Sequence, residues 1–168
     1  MKQLWAPWRL EYIRGPKPTG CVFCNAAASP DDPRNFVVHR GRQVFVILNA
    51  FPYNAGHVMV VPVRHQGRLE QLTDAELLEL MRLTDLSIQA QEAAFHPEGF
   101  NVGMNLGHAA GAGIDVHLHM HVVPRWGGDT NFMPVLGDVK VISEHLESTY
   151  RQLVDAVAAL KPRAGASD

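Results

Sequence analysis

Histidine recurs at every second position in His117-Leu118-His119-Met120-His121. In extended backbone alternate side chains share one face, so the imidazoles point one way and Leu118, Met120 and Val122 the other. Same-face neighbours stand about 6.6–7 Å apart along a strand. Two kinds of chemistry suit such a row against an apolar back. The imidazoles could be ligands converging on zinc. Alternatively, one could be a nucleophile whose neighbours fix its tautomer and stabilise charge. A row of solvated surface histidines is the plain alternative. The preceding loop, Gly-His-Ala-Ala-Gly-Ala-Gly over 107–113, favours the nucleophile. Glycines such as Gly111 and Gly113 free backbone N–H groups to approach an anion, and phosphate fits such a loop better than a bare cation. The competing reading is a flexible connection, since no Gly-x-x-x-x-Gly-Lys pattern is present.

A second reactive feature is Cys21-Val22-Phe23-Cys24, which contains both cysteines of the chain. A disulfide closing so short a loop would gain little entropy. The spacing is that of half a tetrahedral zinc site. A redox pair would want a thioredoxin-like βαβ context that is missing here, and inert thiols are the remaining alternative. Together with an N-terminus that lacks an apolar leader, the pair points to a cytoplasmic protein.

These residues must be positioned by regular elements. Residues 36–39 and 43–48 read as a hairpin turning at 40–42, and 57–63 as a strand that Pro62 ends or places at an edge. Thr73 followed by Glu76 is a capping box that opens a helix reaching about Phe95. Residues 100–106 and 117–123 read as strands, the latter ended by Pro124, and 143–160 as a closing helix. The stretch 25–35, with two prolines, reads as a loop, and the tail after Pro162 as frayed. Strands cluster instead of alternating with helices. This predicts an α+β fold, an antiparallel sheet of about five strands with one long helix and a C-terminal helix.

The length, 168 residues, fits a single domain over 1–168, with an N-terminal arm 1–20, a core 21–130 and an extension 131–168. With 46% hydrophobic and 19% charged residues the composition is globular. A formal charge of −2 gives no electrostatic case for nucleic-acid or membrane partners, so phosphate recognition must be local. No apolar run approaches the ~18 residues of a membrane span.

The run His117-Leu118-His119-Met120-His121-Val122-Val123 resembles the signature of the histidine triad (HIT) family of nucleotide hydrolases and transferases. Asn54-Ala55-Gly56-His57-Val58-Met59-Val60-Val61-Pro62 and Phe100–Gly107 resemble it too, so the likeness covers roughly residues 20–130. Leu4-Trp5-Ala6-Pro7-Trp8-Arg9 and Pro124-Arg125-Trp126-Gly127-Gly128-Asp129-Thr130-Asn131-Phe132 resemble a bacterial branch that includes diadenosine tetraphosphate phosphorylases.

The resemblance implies that His119 attacks the α-phosphorus of a nucleotide. A nucleotidyl-histidine intermediate forms, which water or orthophosphate then resolves. His117 and His121 would support the phosphoryl oxygens, and His57 is similar to the family's additional phosphate-side histidine. Asn49 would bond the ribose, Asn105 would lie at the phosphates, and Ile47 and Met59 would line the base pocket or simply the core. Zinc would be structural, held by Cys21, Cys24, His65 and His117, and no organic cofactor is implied. The expected partner is a diadenosine polyphosphate or similar nucleotide, and the expected assembly a twofold homodimer aided by Trp5, Trp8 and Trp126. A nucleoside phosphoramidate hydrolase is the alternative enzyme, and a nucleotide- or zinc-binding regulatory module the alternative of another class. Many members carry a hydroxyl residue where Ile114 stands, a departure that weighs on the phosphoramidate reading. His39, His96, His108 and His145 are expected at the surface, with His108 near substrate.

Overall fold

The computed structural model describes residues 20–129 and 145–160. Its centre is a five-stranded antiparallel sheet in the order β1-β2-β3-β5-β4. The strands are β1 Val37–Arg40, β2 Val44–Leu48, β3 Val58–Pro62, β4 Gly99–Gly103 and β5 Met120–Arg125. Every residue of β2 and β3 is buried, which explains why Val-Phe-Val-Ile-Leu and Val-Met-Val-Val-Pro are unbroken apolar runs.

One face of the sheet carries Val44, Val46, Val58, Val60, Leu118 and Val122. Helix α3, Asp74–Phe95, covers it with Leu80, Leu83 and Ala90, and α4, Leu146–Ala159, with Leu153. The other face carries Val37, Phe45, Ile47, Met59 and Val61 under Phe23 and Ala26 of helix α1, Val22–Ala28. The expected capping box is present, with Thr73 and Glu76 exchanging side-chain and backbone bonds.

Where the structure departs from expectation, local chemistry explains it. The predicted loop 25–35 is instead the end of α1 and a short helix α2, Asp32–Asn35. Pro33 lies in the first turn of α2, where its missing N–H costs nothing, and Asp31 caps the turn by accepting from the Arg34 N–H. Strand β5 begins at Met120, not His117, and continues through Pro124 to Arg125. The carbonyl of Pro124 accepts from Asn54 Nδ2, so this proline needs no ladder donor on that side. Strand β4 runs from Gly99 to Gly103, opposite His121, and stops short of the expected 106. Helix α4 starts at Leu146, while Ser143, the N-terminal arm up to residue 19, most of the extension and the tail after Pro162 lie outside the described residues.

Candidate active site and metal centre

Although the ladder starts only at Met120, His117 and His119 keep the strand's alternation. Between them the Leu118 N–H bonds Gln66 O at 2.6 Å, which holds the backbone extended while Leu118 drops into the core. His117, His119 and His121 are all buried on the α1 side of the sheet, with the His119 and His121 rings 4.8 Å apart.

Backbone groups set the tautomer of each ring. His119 Nδ1 lies 2.9 Å from the His117 carbonyl, which can only accept, so Nδ1 carries the proton and Nε2 keeps its lone pair. His117 Nε2 donates to Pro62 O at 2.8 Å, which leaves Nδ1 as its basic atom. Fully buried His57 accepts the Tyr53 N–H at Nδ1, 3.0 Å, so its proton sits on Nε2 and is donated to His121 Nδ1 at 2.9 Å. His121 Nε2 then carries a proton, and Asn105 Nδ2, a donor as well, stands 3.5 Å from it. Burial, and next the neighbouring His119, lowers His121 to about 4. Burial also lowers His119, opposed by its bond to the His117 carbonyl.

A cleft of about 530 Å³ opens between α1, the sheet and the 105–114 segment, with His119 and His121 in its wall. Asn49, Asn105, Gly111 and Gly113 line it, and so do Ile47 and Met59, which belong at the same time to the sheet core. Asn49 is already engaged: its Oδ1 accepts the Phe51 N–H at 2.9 Å and its Nδ2 lies 3.3 Å from His57 Nδ1. The glycine loop is less open to an anion than its composition suggests. A 3₁₀ turn, His108–Ala110, uses the N–H groups of Ala110 and Gly111 internally, and Gly111 is required there for its φ of +85°. Ile114 also lines the cleft, so a hydrophobic side chain stands where many family members carry a hydroxyl. Among the other histidines, His96, His108 and His145 are exposed and His39 is half-buried.

Two aromatic cleft residues that pack on the histidines escaped the sequence reading. Phe23, between the cysteines, packs its ring 5.0 Å from His119. Tyr53 covers the hydrogen-bonded pair His57 and His121, 4.7 Å from the first ring and 5.6 Å from the second. The only sequence signals were an aromatic inside Cys-x-x-Cys and another four positions before His57.

At the far end of the same wall, Cys21, Cys24, His65 and His117 bring one ligand atom each within 4.8 Å of one another. Individual separations are 3.3 Å for Cys21 Sγ to His117 Nδ1, 3.2 Å for Cys24 Sγ to His65 Nδ1, and 3.2 Å between the two Nδ1 atoms. A tetrahedral ion with bonds of about 2.0–2.3 Å needs donor atoms roughly 3.3–3.8 Å apart, so the set fits. The tautomer fits as well, because the Pro62 carbonyl takes the other proton of His117 and fixes its ring. These four side chains could therefore hold a metal ion. His117 faces this cluster and not the cleft.

The five-stranded antiparallel sheet thus places His119 and His121 in the wall of the cleft and His117 in the cysteine cluster. Residues 31–128 match the HIT domain, and the chain belongs to the histidine triad family. It is 43% identical over 169 residues to the "AP-4-A phosphorylase" of Mycobacterium tuberculosis, covering 91% of this chain and 83% of that one. A "Bis(5'-nucleosyl)-tetraphosphatase [asymmetrical]" of Schizosaccharomyces pombe is 33% identical over 55% of this chain and 50% of its own. Among solved structures, a "ZN-bound histidine triad family protein" from Mycobacterium smegmatis superposes with a TM-score of 0.67 at 25% identity, over 83% of this chain and 94% of that one. The chain is thus a nucleotide hydrolase or transferase with the HIT fold.

Proposed function

We propose that the chain cleaves diadenosine polyphosphates by covalent catalysis at His119. The observation that carries this reading is the 2.9 Å bond from His119 Nδ1–H to the His117 carbonyl, which leaves Nε2 unprotonated beside the cleft. In the first step Nε2 attacks a nucleoside-bound phosphorus. An N–P bond forms, the P–O bond to the remaining polyphosphate breaks, and that group leaves with the electron pair. His121 Nε2–H and the Asn105 amide stabilise the phosphoryl oxygens, where charge builds up. In the second step an oxygen of orthophosphate or water attacks, the N–P bond breaks and His119 is restored. Asn49 holds the ribose, Ile47 and Met59 flank the base, and Gly111 and Gly113 border the phosphates.

The likeness to the mycobacterial phosphorylase favours orthophosphate as acceptor. Incubation with diadenosine tetraphosphate, with and without orthophosphate, tests the reading. ADP plus ATP formed only with orthophosphate is the expected result. AMP plus ATP would mean hydrolysis, and an inert nucleotide would overturn the substrate class. Ile114 in the cleft weighs against the phosphoramidate alternative, since it offers no hydroxyl to the leaving group.

Cys21, Cys24, His65 and His117 would hold zinc. With all four positions filled by protein, the ion would tie α1 to the segment entering β5 and leave no open position for substrate. The chain would act as a homodimer in a reducing, cytoplasmic compartment; among the described residues β4 is an edge strand of the sheet, and both cysteines are free thiols. Trp126 donates its ring N–H to Phe95 O at 3.3 Å, a local packing role. Trp5 and Trp8 lie outside the described residues. No helix among the described residues is long and apolar enough to cross a membrane.

A further inference from the structure

The segment Pro124-Arg125-Trp126-Gly127-Gly128-Asp129 has no part in the chemistry above, yet it is bonded to the turn that carries His57. Asp129 is largely buried on its side chain, 8% exposed, and Asn54 is 5% exposed. Asn54 Nδ2 spends both hydrogens, one on Asp129 Oδ2 at 2.6 Å and one on Pro124 O at 3.0 Å. Arg125 grips the same carboxylate from below, Nε to Oδ2 at 2.5 Å and Nη2 to Oδ1 at 2.9 Å, and reaches Asn101 of β4 with Nη1.

The backbone of Asn54 continues the connection. Its carbonyl accepts the His57 N–H at 3.1 Å, and the preceding N–H, that of Tyr53, is the one donated to His57 Nδ1. Gly56, at φ +80°, lets the turn close on this wall, since a Cβ there would meet Phe95 and Pro124 at 3.0–3.2 Å. A turn of this kind has no ladder to hold its N–H groups in place. The Asn54 clamp helps to fix where the Tyr53 N–H points, and that N–H, beside Asn49 Nδ2 at 3.3 Å, keeps the proton off His57 Nδ1 and hence places one on His121 Nε2.

We infer that Asp129 is a positioning residue for catalysis, acting through Asn54 and the Tyr53 N–H to lock the tautomers of His57 and His121. The inference rests on the catalytic reading of His121, and its test separates the two. The imidazole ¹⁵N spectrum of the free protein reports tautomers without any substrate. A wild-type chain inactive on diadenosine tetraphosphate would therefore refute the proposed substrate and leave this inference to the spectrum.

Wild type is expected to show one tautomer each for His57 and His121. Asp129→Ala is expected to mix them, lowering kcat about 10- to 100-fold with KM changed less than about threefold. Asp129→Asn, whose amide oxygen still accepts from Asn54, is expected to keep the single tautomers and most of kcat. In an Asn54→Ala background the Asp129→Ala change is expected to cost nothing further. A folded Asp129→Ala protein with a lowered Tm but wild-type kcat and tautomers would show a merely structural role and overturn the inference. If Asp129→Ala does not fold, Asn54→Ala against Asp129→Asn makes the same contrast: mixed tautomers are expected in the first only, and identical spectra overturn it.

Discussion

The ring of Phe23 lies 5.0 Å from the ring of His119, and the same phenyl meets His117 at 5.4 Å. Phe23 is 1% exposed and stands between Cys21 and Cys24, so the segment carrying the two cysteines and the histidine of the cleft share one wall. Phe23→Ala is expected to cost about 3–5 kcal/mol in denaturant unfolding and to raise KM for the nucleotide more than it lowers kcat. Unchanged KM in a folded variant would show that the wall does not shape the cleft.

Metal should be stoichiometric. Protein purified without added metal is expected to carry about one zinc per chain by elemental analysis, and less than about one per four chains would count against the site. Chelation or Cys24→Ser should lower Tm, and added zinc should restore it in the chelated wild type only. Because thiols must lose protons to bind, zinc retention should weaken as pH falls.

His119→Ala is expected to lower kcat at least ~10³-fold while leaving zinc content and fold intact. Full turnover in this variant would end the covalent mechanism.

The pH profile follows from His121. Its folded pKa, about 4, lies below the ordinary imidazole value because of burial and then the neighbouring His119. The ring therefore remains a neutral donor well below pH 6.5, and the acid limb of kcat/KM should lie nearer pH 4–5 wherever the fold survives. Stability runs the same way: the unfolded chain takes up the proton first, so stability falls as pH drops from about 6.5 toward 4. An acid limb centred at 6.5 would contradict this environment for His121.

The capping box of α3 offers a separate handle. Glu76 is held at about 2, first by its bond to Arg64, against burial, with the Thr73 N–H helping. Its depressed pKa contributes stability that is present above about 4.5 and lost as pH falls toward 2. Glu76→Gln should flatten that part of the stability curve. Thr73→Ala should cost about 1 kcal/mol at neutral pH by thermal or urea unfolding.

Much of the sheet was legible because strand burial leaves a period or an unbroken apolar run. The row 117–121 was readable for the same reason, and its alternation persists even where the ladder does not, since the Leu118 N–H finds Gln66 instead of a strand. Helix α1 was hidden, because Cys-Val-Phe-Cys reads as a ligand motif and the prolines after it read as breakers; Phe23 and Ala26, three apart, were the helical signal. The bond between Asn54 and Asp129 spans 75 positions, and nothing in either local pattern points to the other.

The proton on His119 Nδ1 is held by a carbonyl of the chain itself, two residues back. Every amino acid at position 117 supplies that carbonyl, so a substitution at 117 can change the cysteine cluster without changing which nitrogen of His119 is bare. Divergence can then remodel the side chains around the cleft while the bare nitrogen of His119 is inherited unchanged.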